Sequence, residues 1–317
     1  MTADYTLSMQ LYPHLGNKAP ENINCVEVLA PGGIKLRAAY VIPKNSRGTV
    51  LIFGGRAEFI ERYFEMMNDL VRRGYAVATF DWRGQGGSQR LLKNSNLGYI
   101  NSYADYDSDI DTIYTRVLVA QCPKPFYGLA HSTGGHMMLR ALRGKKWLER
   151  VVITAPLLGI NFGTWPEPIG RLIAKAGMIV GLSKKPLPGT SNKPIQSADF
   201  TGNPLTSDRR RWDRDATTLV AHPELGTGAP TFAWLNATLN SIDELQKWPK
   251  AQGPSCPTLI VLAGLDRVVN NAGAKSFLAR APGFSSITIA DSQHEIMNEK
   301  PEIRERFLAA FEAFISG

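Results

Sequence analysis

The chain has 317 residues, 44% hydrophobic and 20% charged, with 29 Gly and 20 Pro, which excludes a low-complexity or collagen-like protein and leaves room for one large α/β unit with an insertion, or two domains. Thirty-six Lys and Arg against 28 Asp and Glu leave a net charge of +8, a balance that attracts phosphate-bearing lipids, acidic membrane surfaces or nucleic acid without choosing among them. The longest uncharged stretch, Leu225 to Ile242, is interrupted by Pro230, Asn236 and Asn240 and is not expected to span a membrane; Asp4 precedes any apolar run, so no cleaved signal and a cytoplasmic location are expected, and Cys25, Cys122 and Cys256, odd in number and far apart, read as buried thiols.

In chain order, Asn24 to Ala30 and Ile34 to Ile42 read as strands joined by the turn Pro31-Gly32-Gly33 into an antiparallel hairpin. From Thr49 onward apolar strands alternate with helical patterns. Thr49 to Phe53 is followed by a helix face of Ile60, Tyr63, Phe64, Met67, Leu70 and Val71. Tyr75 to Phe80 is followed by a face of Tyr103, Tyr106, Ile110, Ile113, Tyr114 and Val117; then come Pro125 to Ala130 and Val151 to Ala155. The rhythm breaks between about Leu157 and Leu245. There Ile169 to Leu182 looks helical, a Pro-rich stretch (Pro186, Pro188, Pro194, Pro204) follows, and no strand is evident. Thr258 to Ala263 and Ser286 to Ala290 complete eight strands. The expected fold is α/β: a mostly parallel eight-stranded sheet flanked by helices, with a core of residues 1–156 and 246–317 and a largely helical cap of residues 157–245. Ligand sites in such sheets lie outside the carboxyl ends of the strands, so functional residues should follow strands directly.

The strongest such signal is Ala130-His131-Ser132-Thr133-Gly134, where a strand ends in a serine between small residues and a helix begins. A turn sharp enough to hold a serine Oγ clear of a sheet needs small residues two before and two after it. A serine hydroxyl also needs a base to take its proton and a carboxylate to hold that base. In the expected order Ser, acid, His, the strand ending at Ala263 offers Asp266 and the last strand offers His294. Asp291 suits a turn role better, and His131 and His136, beside the serine, are expected to pack or give polar support rather than serve Oγ. His14 and His222 read as surface or boundary residues. A tetrahedral intermediate needs two backbone N–H donors, assigned to Thr133 and, in Gly54-Gly55-Arg56-Ala57-Glu58, to Arg56.

Three other motifs read as structural. His294-Glu295-Ile296-Met297-Asn298 lacks the second histidine of a zinc-protease helix. Asp81-Trp82-Arg83-Gly84-Gln85-Gly86-Gly87 has Gln89 where a dinucleotide fingerprint needs a third small residue, and reads as a turn. The run from Asp208 to Asp215, four arginines against three aspartates, reads as a salt-bridged helix face, with recognition of a phosphate head group as the sharper alternative. No nucleic-acid module accompanies it, and nucleic acid is not an expected partner.

Gly54-Gly55-Arg56-Ala57-Glu58, Arg62-Tyr63, Asp81-Trp82-Arg83-Gly84-Gln85-Gly86, Ala130-His131-Ser132-Thr133-Gly134-Gly135 and His294-Glu295 together resemble the α/β-hydrolases of the monoacylglycerol lipase and lysophospholipase group, over most of the chain. The resemblance implies an α/β-hydrolase fold and a serine hydrolase cleaving the acyl ester of a single-chain lipid, a lysophospholipid or monoglyceride, with no metal or organic cofactor. It matches Ser132, Asp266 and His294 to the catalytic triad, and the backbone of Arg56 and Thr133 to the oxyanion hole. Gly54 stands where many relatives have His, and Ala130 where the elbow usually has Gly. Trp165, Ile169, Leu172, Ile173, Phe232 and Trp234 in the cap are the expected acyl-chain contacts. A basic lipid-handling enzyme is compatible with peripheral association at an anionic membrane surface, and no obligate protein partner is inferred. A generic carboxylesterase or acyltransferase on the same triad, or a catalytically silent ligand-binding module, are the alternatives.

Overall fold

The computed structural model describes residues 8–163, 166–249 and 252–317. Eight strands form one sheet: β1 (Asn24–Ala30), β2 (Ile34–Val41), β3 (Thr49–Phe53), β4 (Ala76–Phe80), β5 (Phe126–His131), β6 (Arg150–Thr154), β7 (Thr258–Ala263) and β8 (Phe284–Ile289). Their order is β1-β2-β4-β3-β5-β6-β7-β8. β1 and β2 form the expected antiparallel hairpin, turned by Gly32 and Gly33 at φ 81° and 75°, and β2 pairs antiparallel with β4. All remaining pairs are parallel.

Residues alternate between two cores because successive side chains of a strand point to opposite faces. Leu51, Phe53, Val151 and Ile153 face one core, shared with α2 (Tyr103–Ile113), α4 (Thr133–Ala141) and α8 (Asn271–Leu278). Val50, Ile52 and Val152 face the other, packed by α1 (Phe64–Arg72) and α9 (Pro301–Ser316). Covered on both sides, β3 and β4 are buried along their whole length, which is why they read as unbroken apolar runs. β8 is the opposite case: it closes the parallel edge, and most of its residues are exposed. α2 runs through a π turn, Tyr114–Leu118, into the short α3 (Val119–Gln121).

Between β6 and β7 lie α5 (Glu167–Ile179), α6 (Arg209–Ala221) and α7 (Phe232–Gln246), with short 3-10 turns at Ile195–Ser197 and Pro223–Leu225 and no strand of the sheet among the described residues. Local chemistry sets the ends of these helices. Asp208 caps α6 by accepting from the backbone N–H of Arg211 at 2.9 Å, and the Thr231 hydroxyl caps α7 through Trp234 N–H at 3.2 Å. α5 stops at Gly181, whose φ of 80° lets Leu182 N–H return to the Gly177 carbonyl at 2.8 Å. The arginine run is a salt-bridged face: Arg209 pairs with Asp213, Arg211 with Asp208 and Glu65, and Arg214 with Glu65 and Asp215, so α6 is clamped to α1. Cys25 and Cys256 are buried thiols as expected, whereas Cys122 is half-buried, and none is disulfide-bonded. No helix among the described residues is long and apolar enough to cross a membrane.

Candidate active site

The junction of β5 and α4 holds Ser132 at φ 53° and ψ −116°, a conformation that side-chain-bearing residues rarely adopt. Three backbone bonds fix it there. Its N–H donates to the Thr154 carbonyl at 3.0 Å, and its carbonyl accepts from His136 N–H at 3.0 Å and Leu157 N–H at 3.1 Å. The small neighbours are required by contact: a Cβ on Gly134 would overlap the carbonyls of Phe53 and Gly54, and one on Gly135 would lie 2.6 Å from Ile153 Cγ2. Ala130, at the fully buried end of β5, shows that a methyl is tolerated at the first small position. Gly134→Ala is therefore expected to destabilise the protein by about 2 kcal/mol or more, lowering Tm by on the order of 5 °C. A thermal melt checks this, and an unchanged melting temperature would contradict the close approach.

Asp266 follows β7 and His294 follows β8, as the sheet rule anticipates. His294 Nε2 lies 3.0 Å from Ser132 Oγ, and its Nδ1 lies 2.8 Å from Asp266 Oδ2. The other carboxylate oxygen, Asp266 Oδ1, accepts from the backbone N–H groups of Val268 at 2.9 Å and Val269 at 3.0 Å. Burial works to raise the Asp266 pKa, but the hydrogen bond and charge of His294, with those two backbone donors, hold it below the usual carboxylate range. A carboxylate that can only accept fixes Nδ1 as the protonated ring nitrogen, leaving Nε2 free to accept the serine proton. The His294 loop is itself tied down: Gln293 N–H donates to Glu299 Oε1 at 2.7 Å, and Glu295 N–H to the Leu205 carbonyl at 2.8 Å.

Thr133 is the first residue of α4, so its N–H has no acceptor within the helix. Arg56 lies in the loop after β3, and both residues border the same cavity as Ser132 and His294. The Asp81 turn positions that loop. Trp82 Nε1 donates to the Gly54 carbonyl at 2.8 Å, Gln85 Nε2 to the Gly55 carbonyl at 3.2 Å, and Gln85 Oε1 accepts from Ala57 N–H at 2.8 Å. Glu58 takes the N–H of Gly55. Among the described residues nothing takes the N–H of Arg56 between them.

A buried charge network beside these residues was not evident from the sequence. The Arg62 guanidinium holds Asp215 of α6 at 2.8 Å, Glu295 of the His294 loop at 2.6 Å and Glu58 of the Arg56 loop at 3.4 Å. Burial disfavours the charged form of Glu295, but the charge and hydrogen bond of Arg62 outweigh it and keep the carboxyl well below its usual range. His136 behaves as expected, bridging the Leu157 carbonyl and the Ser241 hydroxyl at 2.8 and 2.7 Å, and burial pushes its pKa down to about 3. His131 also gives polar support, as expected, and does not serve Ser132 Oγ. Its ring sits 4.8 Å from that of His294, with Nδ1 3.0 Å from Thr154 Oγ1 and Nε2 3.8 Å from Glu58 Oε1.

The cavity at this centre has a volume of about 550 Å³, within the range of small-molecule sites, and its apolar wall includes Leu157, Ile160, Leu205, Val269 and Trp234. The expected acyl contacts divide. Trp234 lines the cavity, but Phe232 does not: it packs over Gly177 of α5, because two residues on a helix are 200° apart and face opposite ways. Ile169, Leu172 and Ile173 are 39%, 68% and 38% exposed on the outer side of α5, away from the cavity. Trp165 lies outside the described residues.

The chain belongs to the α/β-hydrolase family described as serine aminopeptidase, S33, whose family model matches residues 44–301. It is similar to the probable lysophospholipase L2 of Haemophilus influenzae, with 28% identity over 288 residues covering 89% of each chain. It is also similar to lysophospholipase L2 of Escherichia coli K12, with 28% identity over 285 residues covering 84% of this chain and 80% of the relative. Among solved structures, a soluble variant of the monoglyceride lipase of Saccharomyces cerevisiae, in complex with a substrate analog, superposes with a TM-score of 0.72 over 96% of this chain and 99% of that one, at 16% identity. The monoacylglycerol lipase of Paleococcus ferrophilus gives 0.66 over 89% and 98%, at 20% identity. At these identities the solved structures bear on the fold, which is the α/β-hydrolase fold.

Proposed function

We propose that the protein is a lipid ester hydrolase that cleaves the acyl ester of a single-chain lipid, a lysophospholipid or a monoglyceride, through an acyl-enzyme. Ser132 Oγ attacks the acyl carbonyl while His294 Nε2 takes its proton and Asp266 steadies the resulting imidazolium. The carbonyl oxygen, now an anion, is received by the N–H groups of Arg56 and Thr133. Collapse expels the alcohol, which takes the proton from His294; a water then repeats the sequence on the acyl-enzyme and releases the fatty acid. The steps need no metal or organic cofactor. Residues 157–245 act as a cap over a core of 1–156 and 246–317, and the cavity between them holds the acyl chain. The location that suits this role is cytoplasmic, peripheral to the inner face of the membrane.

The observation that carries the reading is the continuous relay from Ser132 Oγ to His294 at 3.0 Å and from His294 to Asp266 at 2.8 Å at the wall of a mostly apolar cavity. Recognition of a peptide amino terminus is less well supported, because such a site needs an open carboxylate and both carboxylates bordering the cavity, Glu58 and Glu295, are taken by Arg62. The test is covalent labelling by a fluorophosphonate followed by peptide mass mapping, beside turnover of p-nitrophenyl butyrate, monooleoylglycerol and lysophosphatidylethanolamine. Labelling at Ser132 with turnover of the lipid esters is the expected result. Labelling elsewhere, or peptide cleavage without ester cleavage, would overturn it.

A further inference from the structure

Six arginines are buried among the described residues, and each holds a carboxylate: Arg37 with Glu61 and Asp81, Arg62 and Arg214 with Asp215, Arg83 with Asp109, Arg211 with Glu65, Arg304 with Asp69. Arg90, half-buried, has no carboxylate but is satisfied by neutral acceptors, the carbonyls of Gly84, Ser95, Glu224 and Gly226 and the Thr227 hydroxyl. Arg56 is different. Among the described residues its guanidinium has one acceptor, the Gly228 carbonyl at 2.8 Å from Nη1, and no carboxylate at all. It lies over the Trp234 ring, 5.4 Å from the centroid, and borders the cavity that contains Ser132. Burial lowers its pKa, opposed only by the Tyr106 and Tyr103 phenols.

Glu58, Glu295 and Asp215 all converge on Arg62, whereas Arg56 and Lys193, which also border the cavity, have no carboxylate partner among the described residues. A guanidinium drawn out of water without a counter-ion is unfavourable, and the planar fork of arginine suits a two-oxygen anion. The run Arg209 to Arg214 cannot play this part, because its carboxylates are already in place.

We propose that the Arg56 side chain is a substrate subsite that binds the phosphodiester of a lysophospholipid head group, while its own backbone N–H serves the acyl oxygen of the same molecule. This rests on the ester-hydrolase reading and deepens it, selecting the lysophospholipid over the monoglyceride. One residue spanning both roles matches the substrate, whose phosphate is joined to its acyl ester by only a few bonds. The Trp234 ring, with its centroid 5.4 Å away, offers the guanidinium a cation–π contact.

The test compares the full-length wild type with Arg56→Met and Arg56→Lys on two substrates with the same oleoyl chain, lysophosphatidylethanolamine and monooleoylglycerol. The quantity read is the ratio of their kcat/KM values, which cancels any loss common to both. The ratio is expected to fall by about tenfold or more in Arg56→Met, chiefly through KM of the phosphate-bearing lipid, and to be partly restored in Arg56→Lys. An unchanged ratio, or an equal loss of kcat on both lipids, overturns the subsite. Calorimetric titration of sn-glycerol 3-phosphate and, separately, of oleate into wild type and Arg56→Met reads the subsite independently of ester turnover. Glycerol 3-phosphate binding that weakens in Arg56→Met supports it even if the hydrolase reading fails. Oleate binding alone depending on Arg56 would assign the guanidinium to a carboxylate and overturn it.

Discussion

Ser132→Ala should lower ester turnover by about 10⁴- to 10⁶-fold, with the fold intact. The substitution removes the hydroxyl that His294 Nε2 faces and leaves the turn that presents it unchanged. Alanine meets the same backbone demand at φ 53°, and the three backbone bonds of residue 132 involve no side-chain atom. Circular dichroism and the thermal melt should therefore match wild type, while the release of p-nitrophenol loses both its burst and its steady state. Turnover within tenfold of wild type would remove Ser132 from the reaction.

Asp266→Asn should reduce kcat by about 10⁴-fold near neutral pH, nearly as large an effect from a single atom exchange. An amide that must also satisfy the N–H groups of Val268 and Val269 with its oxygen turns its NH₂ toward His294. The ring then carries its proton on Nε2, where it can no longer accept one from Ser132. The pH dependence of stability has a definite sign. Because Asp266 is held below its unfolded pKa, its contribution is complete above that value and is lost as pH falls through the folded one. Wild type should lose more stability on acidification than Asp266→Asn, as read by melts across the acid range. Asp291→Asn is the control: that carboxylate pairs with Arg306 on the surface, and activity should stay within about twofold of wild type.

The strands could be read because most are short apolar or β-branched runs bounded by Gly, Pro or Asn, and their ends fall within two residues of expectation. The relay was legible for a related reason. Each member follows a strand, so one rule about strand ends placed three residues from distant parts of the chain at one point. The orientation of individual side chains was not legible. Trp234 and Phe232 look alike as apolar residues at the start of one helix, and only the packing of α5 against α7 decides which faces the cavity. The segment Ile169 to Leu182 reads as helical from its sequence, yet Leu172, Ile179 and Val180 lie open to solvent. Arg62, Glu58, Glu295 and Asp215 come from separate segments with no shared spacing, so the pattern that joins them exists only in three dimensions.

Arg62 holds in one hand the loop that carries Arg56, the loop that carries His294 and the helix α6. A chimera that exchanges α6 for a foreign helix is therefore expected to disturb the loops that carry Arg56 and His294 together. Variation that retunes chain length or head group while sparing chemistry has a narrower place to act: the rim from Thr190 to Ala198, which borders the cavity and contributes no side chain to that ionic knot.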